Sequence, residues 1–221
     1  MTHTKNIIII ILAALPLLSP AQNFRFSAFA DPQITWMQPD NGIAESAGIR
    51  LGFDIGFEMD YFFSENYAFS TGLSINNLGG KLKFHQPVEF RFRDAGETEW
   101  VAPGDIVIYR LQYLNFPMGM KFKTREIGYS TYYVKLGSTG HIKTRSLANI
   151  SALGIEGGNL EDEIGPVTFS YHFGAGVHYS LGGRTALTGG IEYKNRFVDI
   201  TSNPAFRTNL QSFAVRLGVL F

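Results

Sequence analysis

The amino-acid sequence predicts an all-β protein: an eight-stranded antiparallel up-and-down β-barrel that crosses a membrane. Three observations predict it. Apolar and polar residues alternate with period two over very long stretches, the connections between them alternate short and long, and the chain opens on an export signal. A tilted strand needs about nine to eleven residues to cross a bilayer, whereas strands of soluble proteins average about five or six.

Composition narrows the classes further. The chain has 221 residues, no Cys, and 19 basic against 19 acidic residues, so its formal net charge is zero. That length suits one all-β domain. Balanced charge argues against nucleic-acid binding as the main task, which needs a basic face. Without Cys there are no disulfides and no thiolate metal sites. Aromatic residues at 14% and 24 Gly lean towards strands.

The N-terminus carries the address. Lys5 gives a positive start, Ile7 to Leu18 form an apolar run of twelve, and Ser19-Pro20-Ala21 offers small residues for cleavage before Gln22. Twelve helical residues would span only about 18 Å of a hydrocarbon core roughly 30 Å thick. The expected domains are therefore a cleaved signal peptide at 1–21 and a barrel at 22–221.

The first strand is expected at 24–36, with Phe24, Phe26, Ala28, Ala30, Ile34 and Trp36 on one face and a bulge at Pro32. In the second, at 47–63, the odd positions from Ala47 to Phe63 are apolar. Its even positions, among them Arg50, Asp54, Glu58 and Asp60, are polar or Gly, with Phe62 the one breach. The third begins at Tyr67 with Phe69, Thr71, Leu73 and Ile75 outward, and its phase is expected to flip at a bulge near Gly79-Gly80. The fourth, 106–123, has Leu114, Phe116, Met118, Met120 and Phe122 as its apolar face, with Arg110 and Gln112 out of phase. The fifth, 129–145, turns Tyr132, Val134 and Leu136 out, and Tyr133, Lys135, Thr139, His141 and Lys143 in.

The sixth, 167–181, sets Val167, Phe169, Tyr171, Phe173, Ala175, Val177, Tyr179 and Leu181 against Thr168, Ser170, His172, His178 and Ser180. The seventh and eighth follow at 185–199 and 207–221. Turns at Ser64–Asn66, Thr124–Ile127 and Gly182–Arg184 are short. The intervening connections 37–46, 85–105, 146–165 and 201–206 include three long ones, the asymmetry of an outer-membrane barrel with its termini on the short-turn side. Trp36, Tyr61, Phe62, Phe63, Tyr67, Tyr109, Tyr129 and Tyr193 are expected to form interfacial girdles. The competing architecture is a lipocalin-like soluble barrel with its apolar face inward. Strand length and loop asymmetry decide for the membrane.

The most specific local signal is the last strand, where Phe213, Val215, Leu217, Val219 and Phe221 alternate up to a terminal Phe. Such an ending resembles the signal by which the outer-membrane assembly machinery recognises its clients during biogenesis.

The stretch Leu111-Gln112-Tyr113-Leu114-Asn115-Phe116-Pro117-Met118-Gly119-Met120-Lys121 resembles the Tyr-Leu-Glu-Ile-Pro-Leu-then-Lys segment of the PorT-like outer-membrane β-barrel family. Gly174-Ala175-Gly176-Val177 is similar to that family's late Gly-x-Gly strand, and the Phe221 ending fits. Asn115 stands where the family usually has Glu, so a role for that carboxylate does not carry over. The resemblance implies an eight-stranded barrel in the outer membrane of a Gram-negative bacterium, with no common enzymatic activity. The family's namesake is linked to secretion of surface proteases.

If apolar faces meet lipid, the charged residues face the lumen. The expected network is Arg25, Arg50, Asp54, Glu58, Asp60, Lys135, Glu192, Lys194, Arg196 and Arg216, with Asp31, Lys143 and Arg145 beside it. Eight strands enclose little more than their own side chains, so a plug of paired charges is expected, against the alternatives of an ion pathway or a binding site. His172, His178 and Glu192, with Ser170 or Ser180, would be the acid/base set of a lipid-modifying enzyme. Six residues separate the two histidines on one strand, roughly 20 Å, too far for one centre. No catalytic residue, cofactor or metal site is therefore expected, and the acidic run Glu161-Asp162-Glu163 is read as a solvated loop.

The expected function is a structural or interaction role at the cell surface, with the PorT-like resemblance pointing to secretion; a lipid-modifying enzyme and a small-solute channel are the alternatives. Its expected partners are outer-membrane lipids, the assembly machinery, and a protein at residues 85–105. There Val88, Phe90 and Phe92 alternate with charges, Asp94-Ala95-Gly96-Glu97 supplies a turn, and the chain returns through Trp100. One reading is a protruding hairpin with Phe90, Phe92 and Trp100 as anchors for β-augmentation. The other folds these aromatics back over the barrel mouth.

Overall fold

The computed structural model describes residues 23–40, 42–92, 98–160, 164–197, 200, 201 and 207–221. The export signal, the Asp94–Glu97 turn and the Glu161–Glu163 run lie outside them. The described strands are β1 (Phe24–Pro39), β2 (Ala44–Gly48), β3 (Arg50–Ser64), β4 (Tyr67–Phe84), β5 (Val88–Arg91), β6 (Thr98–Val101), β7 (Ile106–Lys123), β8 (Ser130–Ile150), β9 (Ile155–Asn159), β10 (Val167–Gly182), β11 (Thr185–Arg196) and β12 (Thr208–Leu220).

Eight of these close a ring in the order β1-β3-β4-β7-β8-β10-β11-β12, every neighbour antiparallel, with β12 returning to β1. Closure leaves no unpaired edge in lipid, where no water would satisfy exposed backbone groups. Short β2 extends the wall beside β4, β9 pairs with the top of β8, and β5–β6 form a separate hairpin.

Side chains alternate through this wall, and the outward apolar belt is about nine residues tall. It runs from Tyr67 to Ile75 on β4, Leu114 to Phe122 on β7, and Phe213 to Phe221 along the last strand. That height matches what a tilted membrane strand requires. Above the belt, on the long-loop side, several outward positions become polar, among them Gln38, Asn77, Gln112, Asn195, Asn209 and Gln211, while Ile49 and Ile106 stay apolar and exposed.

Two expected irregularities are absent. Asn76↔Tyr113, Leu78↔Leu111 and Gly80↔Tyr109 keep one register, so neither Gly79-Gly80 nor Arg110 breaks the phase. What changes is the medium: beyond Gln112 the outside of the wall meets water, so Arg110 points out while Tyr109, Leu111 and Tyr113 turn in and are buried. Nor does Pro32 form a bulge. The β1–β12 register is the same at Phe29↔Gly218 and Gln33↔Ala214, and in the gap between them the Asp31 carboxylate accepts the Leu217 N–H at 3.3 Å.

Away from the short turns, a bulge does sit on β8. Gln112 pairs Arg145 and Tyr113 pairs Lys143, which leaves Thr144 as the extra residue. The bulge turns Arg145 outward and lets β8 run on to Ile150, five residues beyond its expected end. At the same level β3 parts from β4: its pairing with β4 ends at Phe53↔Asn77, while it still pairs with β1 as far as Thr35↔Arg50. Thr35 Oγ1 donates to the Gly79 carbonyl at 2.6 Å and accepts the Gly79 N–H at 3.2 Å, so β1 bonds directly to β4 at this level. This approach requires glycine at position 80, where a Cβ would stand 2.8 Å from the Met37 amide nitrogen.

Candidate functional site

The barrel interior has two storeys. In the lower one, level with the lipid belt, inward positions carry charge. Lys121 on β7 binds Glu58 at 2.5 Å and Asp60 at 2.6 Å, both on β3. Lys135 on β8 binds Glu58 at 3.0 Å and Glu192 at 2.5 Å. Lys194 on β11 joins Asp54 at 2.7 Å to Glu192 at 2.9 Å. Arg216 on β12 spans Asp31 (2.8 Å), Glu58 (3.0 Å) and Glu192 (3.2 Å). Ser70 donates to Asp60 as well. Asp31, Asp54, Glu58, Asp60 and Glu192 are thus met by Lys121, Lys135, Lys194 and Arg216, with buried Arg196 stacked over the Tyr113 ring at 4.5 Å as a further cation. Five carboxylates and five cations balance, which is the arrangement that makes burial of so many charges tolerable.

Most of the expected network is here, with three changes. Arg25 lies at the short-turn mouth, where it and Lys123 flank the Phe62 ring at 5.7 and 4.9 Å. Phe62 therefore points in at the mouth and belongs to no outer girdle. Arg50 is outside the network because β3 parts from β4 at that level, and its Cδ lies near the position a Gly79 Cβ would fill. Lys121, which the sequence reading left out, is central; its odd position opposite Met120 and Phe122 was the available signal.

A hydrogen-bonded row lies above the charges. Asn115 Oδ1 is 2.6 Å from His141 Nδ1, and His141 Nε2 is 2.8 Å from Ser170 Oγ. A carbonyl oxygen only accepts, so Nδ1 carries the proton and Ser170 donates to Nε2. This is the orientation of a nucleophilic relay, but all three side chains are buried, and the void beside them is about 10 Å³, one water in size. The row fills the interior. His172 and His178 do not join it: His172 Nδ1 contacts Thr139 Oγ1 at 3.0 Å, and His178 Nδ1 contacts Thr188 Oγ1 at 2.7 Å. Among the described residues no group of three His, Asp or Glu side chains could hold a metal ion.

The upper storey stands above the lipid belt and is apolar. Met37, Leu78, Leu82, Val107, Tyr109, Leu111, Ile150 and Leu210 point inward from the extended strands. The β5–β6 hairpin covers them, with Phe90 and Phe92 buried and Phe90 edge-on to Phe84 at 5.6 Å between ring centres. The hairpin is thus where the sequence places it, but Phe90 and Phe92 are not exposed anchors. Outside that level there is water, and burying two phenyl rings is worth about 1.5–3 kcal/mol each. Trp100 alone of the three faces out, 60% exposed, across from Glu89. Tyr109 is likewise core and not girdle. On the short-turn side Tyr61, Phe63, Tyr67 and Tyr129 are exposed, while Trp36 and Tyr193 are half-buried.

Comparison with known proteins agrees with this architecture. The family model described as "Outer membrane protein beta-barrel domain" matches residues 20–148, more than half of the chain. Among solved structures, Neisserial surface protein A is 14% identical with a TM-score of 0.52, covering 90% of this chain and 96% of that one. OprG of Pseudomonas aeruginosa is 9% identical with a TM-score of 0.50, covering 90% and 95%. Likeness at these identities establishes the fold. No curated protein sequence matches.

Proposed function

Because the chain belongs to the outer membrane protein beta-barrel domain family, we propose that it works from its outer surface and not through its lumen. It is a surface-exposed barrel of a Gram-negative outer membrane, holding a small β-head above the lipid for a protein partner. The observation that carries this reading is the double seal of the interior: a neutral plug of paired charges under an apolar core closed by the β5–β6 hairpin. The contact with the partner is the outer face of the hairpin, where Trp100 is exposed and Phe90 and Phe92 support it from beneath. The resemblance of residues 111–121 to PorT-like barrels supports a partner that belongs to protein secretion. In biogenesis, residues 1–21 direct export and are removed, and the outer-membrane assembly machinery engages Phe213, Val215, Leu217, Val219 and Phe221.

A photo-crosslinking residue placed at position 100 in living cells tests the reading. A discrete protein adduct containing a secretion component is expected, and its loss on replacing residues 88–101 with a Gly/Ser turn. Absence of any protein adduct from a correctly inserted barrel refutes the partner site. Steady conductance of the purified protein in planar bilayers would instead favour the channel.

A further inference from the structure

The wall carries a group of cations that neither the plug nor the head uses. Arg110 on β7 pairs across the sheet with Gly79 on β4, Lys81 lies two residues above Gly79, and Arg145 on β8 is opposite Gln112. Arg50, at the start of β3, lays its side chain towards Gly79, and Arg110 is the charged group it feels. The four come from adjacent strands on the outside of the barrel. Among the described residues none of them forms an ion pair, although nearby Lys83 has Glu45 at 3.5 Å and distant Arg125 has Glu65 at 4.0 Å. Antiparallel sheets normally set opposite charges across from one another, and like charges side by side are destabilising. Here the Arg50 side chain lies against Gly79 within the electrostatic reach of Arg110, half-buried, with its Nη1 buried and without a hydrogen-bond partner.

The height of the patch identifies what neutralises it. Ile75↔Leu114 is the last apolar pair of the belt, and Asn77↔Gln112, joined by a 3.2 Å side-chain hydrogen bond, is the next outward pair. Arg110 is one outward position higher. At about 3.3 Å per residue it stands roughly 13 Å along the strand from Leu114, or about 9 Å in height at a tilt near 45°. That is the headgroup layer of the outer leaflet, within reach of a downward-turned arginine side chain.

We propose that Arg50, Lys81, Arg110 and Arg145 seat the phosphate groups of a phosphorylated outer-leaflet glycolipid, lipid A. Arginine suits the task because its planar fork binds phosphate oxygens in pairs. The Asn77–Gln112 pair, with Thr144 Oγ1 donating to Gln112 Oε1 at 3.2 Å, borders the seat below with groups that match sugar hydroxyls.

The test is a titration of the full-length folded protein in detergent with bisphosphorylated lipid A, read by native mass spectrometry. Dephosphorylated lipid A and inorganic phosphate serve as separate arms. A basic side chain at an anionic lipid surface contributes roughly five-fold. The triple variant Arg50→Gln, Arg110→Gln, Arg145→Gln should therefore lose on the order of 100-fold in lipid A binding. Lys83→Gln, whose cation is already paired, should bind as the parent does. Each variant is first shown to be folded by its gel shift on boiling, and if the triple variant fails, Arg110→Gln alone is read, with a loss of about five-fold. Equal binding by parent and variants, equal binding of dephosphorylated lipid A, or displacement of lipid A by millimolar phosphate each overturns the proposal.

Discussion

Glu58 is the point at which the plug is most exposed to a single substitution. Its Oε1 takes Lys121 Nζ at 2.5 Å, and its Oε2 takes Lys135 Nζ and Arg216 Nη1 at 3.0 Å each. In Glu58→Ala every one of those cations keeps another carboxylate: Asp60 for Lys121, Glu192 for Lys135, and Asp31 with Glu192 for Arg216. Partners are therefore not orphaned, but the balance is lost, because four carboxylates then face five cations in a buried space. Three charge-assisted hydrogen bonds disappear together. Removing one member of a buried ion pair costs about 3–5 kcal/mol, and the retained partners hold the expected loss within that range. Glu45→Ala, which removes an exposed partner 3.5 Å from Lys83, should cost less than about 1 kcal/mol. Urea unfolding in lipid vesicles, followed by gel shift and tryptophan fluorescence, compares the two. If Glu58→Ala unfolds within about 1 kcal/mol of the parent, the ions are solvated and the paired plug is wrong.

Two further outcomes follow from the upper storey and the seam. Phe90→Ala should destabilise the head by about 3–5 kcal/mol while leaving the lipid-facing strands intact. Protease added outside cells should then cut the variant within the loops yet leave a heat-modifiable membrane core; uniform resistance would mean that the hairpin is not a structural cap. Phe221 exchanges backbone hydrogen bonds with Phe26 at 2.8 and 3.1 Å, and their rings stack at 6.5 Å. Phe221→Ala should therefore slow insertion in a pulse-chase assay, and unchanged kinetics would remove this residue from the assembly signal.

The sequence makes the barrel legible because lipid imposes a strict rule on one face of every strand. The eight strands and their outward faces follow from alternation, and their order and short turns from the lengths of the connections. The lumen was legible to the same extent: parity places Asp54, Glu58, Asp60, Lys135, Glu192, Lys194 and Arg216 inside. Which carboxylate meets which cation was not, since those pairs join strands that are distant in sequence, such as Asp31 with Arg216. Parity also fails wherever a strand gains a residue or parts from a neighbour. Thr144 reverses Arg145, and where β3 parts from β4 the Arg50 side chain lies against Gly79 and not in the plug. Single-sequence reading has no marker for either event. The Asn115–His141–Ser170 row was missed because its members come from three strands whose register only the closed sheet defines.

The apparent phase breaks at Gly79-Gly80 and at Arg110 are the most instructive misreading, because they record where the membrane stops. On β7 the inner face changes from Asn115 to Tyr113 as the outer face changes from Leu114 to Gln112. On β4 the inner change is from Asn76 to Leu78 and the outer from Ile75 to Asn77, and these residues pair in register: Asn76↔Tyr113, Asn77↔Gln112. The seam shows the same exchange at Met37↔Leu210 inside and Gln38↔Asn209 outside. Both faces switch polarity at one level because the driving force switches there. Within lipid an apolar lumen would gain little from burial, since the surrounding acyl chains are equally apolar, and paired charges hold the interior together instead. Above the lipid, water surrounds the wall, and each buried apolar Å² contributes roughly 25 cal/mol. Period two identifies a strand in either medium. The sign of the alternation tells which medium the strand is in, so one chain reads as an inside-out barrel below Gln112 and an ordinary water-soluble one above it.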